Sequence, residues 1–187
     1  MYLCFAYIAP AYSAYYLRHN LDILSTLESD IRHYSDKGDI IICGDINART
    51  GCEQDAVCDD NNRFIPMPCD IINNYTDTRL RRSCDKISCQ RGKDLIDLCI
   101  SSNLKILNGR CLGDITGKFT SFQYNGNSVV DYGIVSDSFL AKVLFFHVHD
   151  PLPYLSDHAK ITVQVGANFD ENVVIDRDTT LVSKCYI

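Results

Sequence analysis

Three short motifs place carboxylates, an amide and a histidine where they could hold a cation and activate a water. Asp45 and Asn47 directly follow the apolar run 40–43 and its closing Gly44. In an extended backbone, residues two apart project from the same side, so a carboxylate and a carboxamide leave the strand end together. Asp131 interrupts Val129-Val130-Asp131-Tyr132-Gly133-Ile134-Val135, where a carboxylate is costly unless a partner satisfies it. His158, in Ser156-Asp157-His158, is the natural partner. A carboxylate on one ring nitrogen fixes the tautomer and favours imidazolium. Asp157 is then left to bind a divalent cation through oxygen. Asp45 with Asn47 could position and deprotonate a water for in-line attack on phosphorus. Each motif also has an ordinary reading, since Gly, Asp and Asn close turns in many proteins. Their combination carries the chemistry.

The elements that must position these groups follow from hydrophobic spacing. Residues 2–8 read as a strand stopped by Pro10. From Ser13 to about Tyr34, Leu17, Leu21, Leu24, Leu27 and Ile31 recur at threes and fours, which predicts one amphipathic helix capped by Ser13. Ile40-Ile41-Ile42-Cys43 then reads as a strand buried on both faces. Strand, helix, buried strand is a βαβ unit, so an α/β fold is expected over an all-β one. Further on, a helix is expected over 92–102 and strands over 104–107, 118–123, 129–135, 142–148 and 159–165. Between the two halves lies a long polar stretch, 49–90. Loops of that length tend to be functional or disordered. It carries Arg79, Arg81, Arg82 and Lys86, a cluster extended by Arg91 and Lys93, for which phosphate contact and a solvated loop are the competing readings. Residues 167–187 read as an acidic tail outside a domain spanning 1–166.

Composition narrows the class. At 187 residues with 46% apolar content and a mean hydropathy of -0.09, the chain reads as one soluble globular domain. No apolar run approaches a membrane span, and residues 1–10 lack the basic start of a secretion signal. An intracellular location, nuclear or cytoplasmic, is therefore expected, with no membrane partner. The net charge of -6 argues against a non-specific nucleic-acid coat. A metal-dependent phosphodiesterase escapes that objection, because cations held by its carboxylates receive the phosphate. Ten cysteines without a C-x-x-C pair read as reduced thiols, with no disulfide framework and no recognisable zinc spacing.

Cys-Gly-Asp-Ile-Asn (43–47), Ser-Val-Val-Asp-Tyr-Gly-Ile-Val-Ser (128–136) and Leu-Ser-Asp-His (155–158) resemble the C-terminal half of the endonuclease/exonuclease/phosphatase, or DNase I-like, superfamily. Gly-Asp-Ile-Asn-Ala-Arg-Thr-Gly (44–51) and Gln-Arg-Gly-Lys-Asp-Leu-Ile-Asp-Leu-Cys (90–99) are closer to endonuclease domains of non-LTR, LINE-type retrotransposons. Ile-Leu-Asn-Gly-Arg (106–110) and Gly-Lys-Phe-Thr-Ser (117–121) continue the likeness, which runs over about residues 1–165.

The resemblance implies an α/β sandwich of two facing sheets flanked by helices, Mg²⁺ or Mn²⁺ as cofactor, and DNA as substrate. By the same resemblance Asp45 orients or deprotonates the attacking water with Asn47 beside it. Asp157 is the metal ligand, and His158, supported by Asp131, contacts the phosphate. Tyr7 is the strand-end tyrosine on the phosphate, while Thr120 and Ser128 are polar supports. The family's early Asn and metal-binding Glu would precede Met1, so the resemblance implies a domain cut at its N-terminus and weak activity. Glu53 or Asp55 is then the carboxylate that could replace the missing ligand. An uncovered sheet surface would favour self-association. Two rival readings remain: a phosphatase of the same superfamily, and a non-catalytic transposon remnant that binds nucleic acid or a partner.

Overall fold

A computed structural model describes residues 1–19, 22–56 and 80–166. Its elements are β1 (Tyr2–Tyr7), α1 (Ala14–His19), α2 (Ile23–Ser35), β2 (Ile40–Asp45), α3 (Gln90–Ser101) and β3 (Leu104–Ile106). β4 (Ser121–Gln123), β5 (Gly126–Ser128) and β6 (Asp131–Ser136) follow. A 3-10 turn (Asp137–Lys142), β7 (Val143–Val148) and β8 (Ile161–Val165) complete the described chain. This is the expected mixed α/β chain. The expected tail, 167–187, and Arg79 lie outside the described residues.

β1 and β2 pair in parallel, as the βαβ pattern requires, and β6 then pairs antiparallel with both β2 and β3. The sheet order is β1-β2-β6-β3, with β4–β5 and β7–β8 as separate two-stranded ribbons. Alternation along β2 explains why an unbroken run of isoleucines was needed. Ile40 and Ile42 pack with Ile31 of α2 and with Leu95, Ile96 and Cys99 of α3. Ile41 points the other way, into a second cluster with Val135, Phe146 and Val148. The sheet is therefore covered by helices on one face and by the β7–β8 ribbon on the other.

That ribbon leaves β1 bare. Leu3, Phe5 and Tyr7 share a face with Ile41, Cys43 and Asp45 by register, yet Phe5 is 74% and Tyr7 73% exposed. The other edge of β1 has no strand neighbour among the described residues.

Two local expectations are corrected. The helix expected over 13–34 is two helices, because Asp22 takes an extended conformation and caps α2. Its carboxylate accepts the N–H of Ser25 at 3.3 Å and the Ser25 hydroxyl at 2.7 Å. The strand expected over 129–135 starts at Asp131, and the turn residues Gly126 and Asn127 belong to β5. The seven described cysteines are free thiols. No helix among the described residues is long and apolar enough to cross a membrane.

Gly44 is where the backbone leaves no room. Its φ is 141°, and a Cβ there would stand 2.0 Å from the carbonyl oxygen of Ala6 on β1. Gly44→Ala must push β1 from β2 one residue before Asp45. We expect a loss of about 3 kcal/mol, at the upper end for overpacking, read as a lower urea midpoint. An unchanged midpoint would show that the two strands separate freely here.

Candidate active site

Strand pairing brings the site together. Asp45, the last residue of β2, lies opposite Asp131, the first of β6, and beside Tyr7, the last of β1. All three are on the sheet face that carries the β7–β8 ribbon. His158 reaches them through a third segment. Residues 157–159 pair with 120–122: the N–H of Phe122 donates to Asp157 O at 2.7 Å and that of Ala159 to Thr120 O at 2.7 Å. An isolated bridge joins Ser121 and His158. The Nδ1 of His158 then sits 2.8 and 3.1 Å from the two Asp131 oxygens.

One ligand atom each from Asp45, Asp131 and His158 lies within 4.8 Å of the others. The two carboxylates repel, and both are partly desolvated. Burial, and then the Asp131 charge, push the Asp45 carboxyl up to about 6 against the pull of Asn47 and His158. Burial also raises Asp131, while the Thr120 hydroxyl and His158 oppose it. For His158, burial favours the neutral ring, but Asp131, Asp45 and Asp157 outweigh it and raise its pKa. The Asp131–His158 pair thus favours the charged ring.

Two residues keep the carboxylates in place. Asn47 adopts a left-handed backbone, φ 49°, which turns its own N–H back to Asp45 Oδ1 at 2.9 Å. Its side-chain amide donates to Asp45 Oδ2 at 2.8 Å and to Ile8 O at 3.0 Å, joining the ends of β1 and β2. Thr120, fully buried, accepts the N–H groups of both Val130 and Asp131 at 3.0 Å. The supporting position expected for Thr120 is thus occupied as a backbone clamp.

Sequence reasoning placed Arg91 in the basic cluster and gave Arg49 no role of its own; the structure makes both of them loop ties. Arg91 donates to Ala9 O at 2.7 Å and Asn47 O at 3.5 Å, so it ties together the loops after β1 and β2. Arg49 forms a two-pronged pair with Asp85 at 2.6 and 2.8 Å, and Asp85 also accepts the Val129 N–H at 3.1 Å. The signal was present in Ala-Arg-Thr-Gly and Gln-Arg-Gly, but nothing local marks an arginine as a loop tie. A cavity of about 390 Å³ opens beside Asn47, lined by Arg49, Ser121, Gln123, Asn127 and Ser128.

Other expected roles do not fit. Asp157 is exposed and stands outside the three-residue cluster, because neighbours in an extended segment face opposite ways and His158 takes the inward side. Its charge still reaches His158 and Asp131. Arg81 is 2% exposed and donates to Glu53 O and Thr50 Oγ1, so a phosphate cannot reach it. Arg82 is exposed. Asp55 is buried in an ion pair with Arg110 and accepts the Ile106 N–H, away from the cluster. It is no substitute ligand.

The family model described as "Endonuclease-reverse transcriptase" matches residues 10–162. The chain belongs to that family. It is thereby a member of the endonuclease/exonuclease/phosphatase superfamily of nucleases and phosphatases.

Among solved structures, it is similar to the 3'-5' exonuclease NExo from Neisseria meningitidis. The identity is 15% and the TM-score 0.54, over 87% of this chain and 60% of that one. It is also similar to a Neisseria 3' phosphatase NExo bound to a product DNA hairpin, at 16% identity and TM-score 0.50, over 77% and 52%. The endonuclease domain of TRAS1, a telomere-specific non-LTR retrotransposon, matches at 17% identity and TM-score 0.49, over 85% and 52%. The likeness to NExo is one of fold, and this chain spans between about half and 60% of the length of these structures. No relative matched among curated proteins.

Proposed function

We propose that this endonuclease-reverse transcriptase family chain is a Mg²⁺- or Mn²⁺-dependent phosphodiester hydrolase that nicks DNA, a non-LTR retrotransposon endonuclease by descent. The observation that carries the reading is the meeting of Asp45, Asp131 and His158 at one sheet end, with Asn47 fixing Asp45. Asp45 takes a proton from the attacking water, and its pKa near 6 suits a base working at neutral pH. His158, kept charged and oriented by Asp131, donates to a phosphate oxygen. Tyr7, exposed beside Asp45, offers its phenol to the same phosphate.

The donor set fits a hard cation, since Mg²⁺ binds through one or two carboxylates, several waters and substrate oxygens. Asp45, with Asp131 beside it, would hold it, and when bound it would polarise the phosphoryl oxygen. So few carboxylates bind it weakly, so nicking by this chain alone is slow. The domain spans 1–166, the bare face of β1 promotes self-association, and the protein works inside the cell.

The test is nicking of supercoiled plasmid with Mg²⁺, by this chain and by one extended upstream, with a chelator control. Metal-dependent nicking lost in Asp45→Asn supports the reading. Release of phosphate from a 3'-phosphorylated oligonucleotide, without plasmid nicking, favours the phosphatase reading, and no turnover by either chain refutes catalysis.

The pH dependence has a definite sign. Asp45 must be ionised to act, so activity should rise with pH as Asp45 loses its proton, then fall as His158 loses its own above its raised pKa. Carboxyl-carbon NMR on metal-free protein should show Asp45 titrating near 6. A midpoint near the ordinary 4 would remove Asp45 as the base.

A further inference from the structure

We propose that His147 and His149 form a binding site for a divalent transition ion of the Zn²⁺, Ni²⁺ or Cu²⁺ class. It lies on the outer face of the β7–β8 ribbon, and neither residue belongs to the Asp45–Asp131–His158 cluster.

The ribbon turns Phe146 and Val148 into the second core cluster. His147 and His149, two apart in an extended segment, therefore leave its opposite side together. His149 stands one residue past β7, and its N–H donates to Lys160 O at 2.9 Å, which continues the strand pairing. The two ring centres are 4.5 Å apart, with planes at 89°. Imidazole nitrogens about 2.0–2.1 Å from one ion, at angles of about 90–109°, place ring centres roughly 4.5–5.2 Å apart. The backbone thus already holds the rings at a chelating separation.

Their hydrogen bonding suits the same role. His147 Nδ1 is buried without a hydrogen-bond partner among the described residues, and a buried orphan of this kind calls for a water or an ion. His149 Nε2 meets Thr162 Oγ1 of β8 at 2.8 Å. With Nε2 donating to that hydroxyl, the lone pair lies on Nδ1, and Thr162 is the outer partner that metal-bound histidines commonly have. Phe145 stacks on His147 with ring centres 5.7 Å apart and planes at 20°. Phe145 is itself seated over Gly113, where a Cβ would come within 2.6 Å of its ring. The His147 ring is held in place before any ion arrives.

Charge selects the ion. Burial, Lys160, His147 and Lys118 lower the His149 pKa against the pull of Asp150, which favours the neutral ring that can coordinate. The same lysines oppose a cation held by charge alone. No third His, Cys, Asp or Glu joins the pair within ligand reach among the described residues. Mg²⁺ and Ca²⁺ need oxygen ligands, whereas imidazole suits Zn²⁺, Ni²⁺ and Cu²⁺.

NMR of the histidine rings tests this on the whole chain, titrated with Zn²⁺ under reducing conditions and with Mg²⁺ in excess. The His147 and His149 resonances should shift together, at Zn²⁺ concentrations that leave His33, placed against Lys37, unmoved. In His147→Asn and in His149→Asn the remaining ring should need about tenfold more Zn²⁺, or beyond. Thr162→Val, on the exposed face of β8, keeps both ligands and should weaken binding about tenfold. Circular dichroism confirms that the variants fold. Rings that shift at separate concentrations, rings that move no earlier than His33, or any variant that responds like the parent would overturn the proposal.

Discussion

Replacing Asp45 by Asn should lower the nicking rate by about 10²–10⁴-fold, the range for removing a general base. The exchange keeps the shape and still lets Asn47 donate one hydrogen bond to the new side chain. It removes the group that accepts the water's proton and one of the few carboxylates available to a cation. A solvated control, Glu28→Gln on the exposed face of α2, where Glu28 pairs only with Arg32, should nick at the parental rate. Single-turnover plasmid assays with matched preparations decide it. Nicking by Asp45→Asn within a few fold of the parent would mean that the activity belongs to a contaminant or to another carboxylate.

The second large effect is on stability. Asp55→Ala should cost about 3–5 kcal/mol, as removal of one partner of a buried ion pair does elsewhere. Asp55 accepts the Ile106 N–H at 2.6 Å and pairs with Arg110, while Lys105 donates to its carbonyl. Without it, the Arg110 guanidinium stays buried near Arg81, whose own pKa burial already lowers. The Nε atoms of both arginines already lack hydrogen-bond partners among the described residues. Urea unfolding reads the loss, and Asp55→Ala with Arg110→Met should recover part of it by removing the orphaned charge. A loss under about 1 kcal/mol would show that this pair does not hold the 51–56 loop to β3. The nicking rate per folded molecule should not change, because Asp55 stands apart from Asp45, Asp131 and His158.

Much of the site could be read from the chain because its residues violate local rules. Asp131 inside an apolar run announced a partner, and His158 is that partner at 2.8 Å. Ile40–Ile42 announced a strand covered on both faces, and both clusters are present. What could not be read depends on contacts far apart in sequence. Arg81 looks like its neighbour Arg82, and only the fold, by supplying Glu53 O and Thr50 Oγ1, turns it inward. Asp157 and His158 look equivalent until pairing with 120–122 decides which of them faces the site. The break in the first helix turns on whether Asp22 caps or continues, a balance near 1 kcal/mol that periodicity cannot weigh.

The strand order has a consequence for how this protein is made. β6 lies between β2 and β3, and both of those precede it in the chain by many residues. A growing chain therefore presents β1–β2 and α3–β3 as two pieces, each with an open edge where β6 belongs. Neither piece can close until residues 131–136 have been synthesised, and the ribbon covering their apolar face comes later still. Such non-local pairing folds slowly and leaves strand edges exposed in the meantime. Yield in a cell should therefore respond more to slower translation and chaperone supply than to substitutions that merely raise final stability.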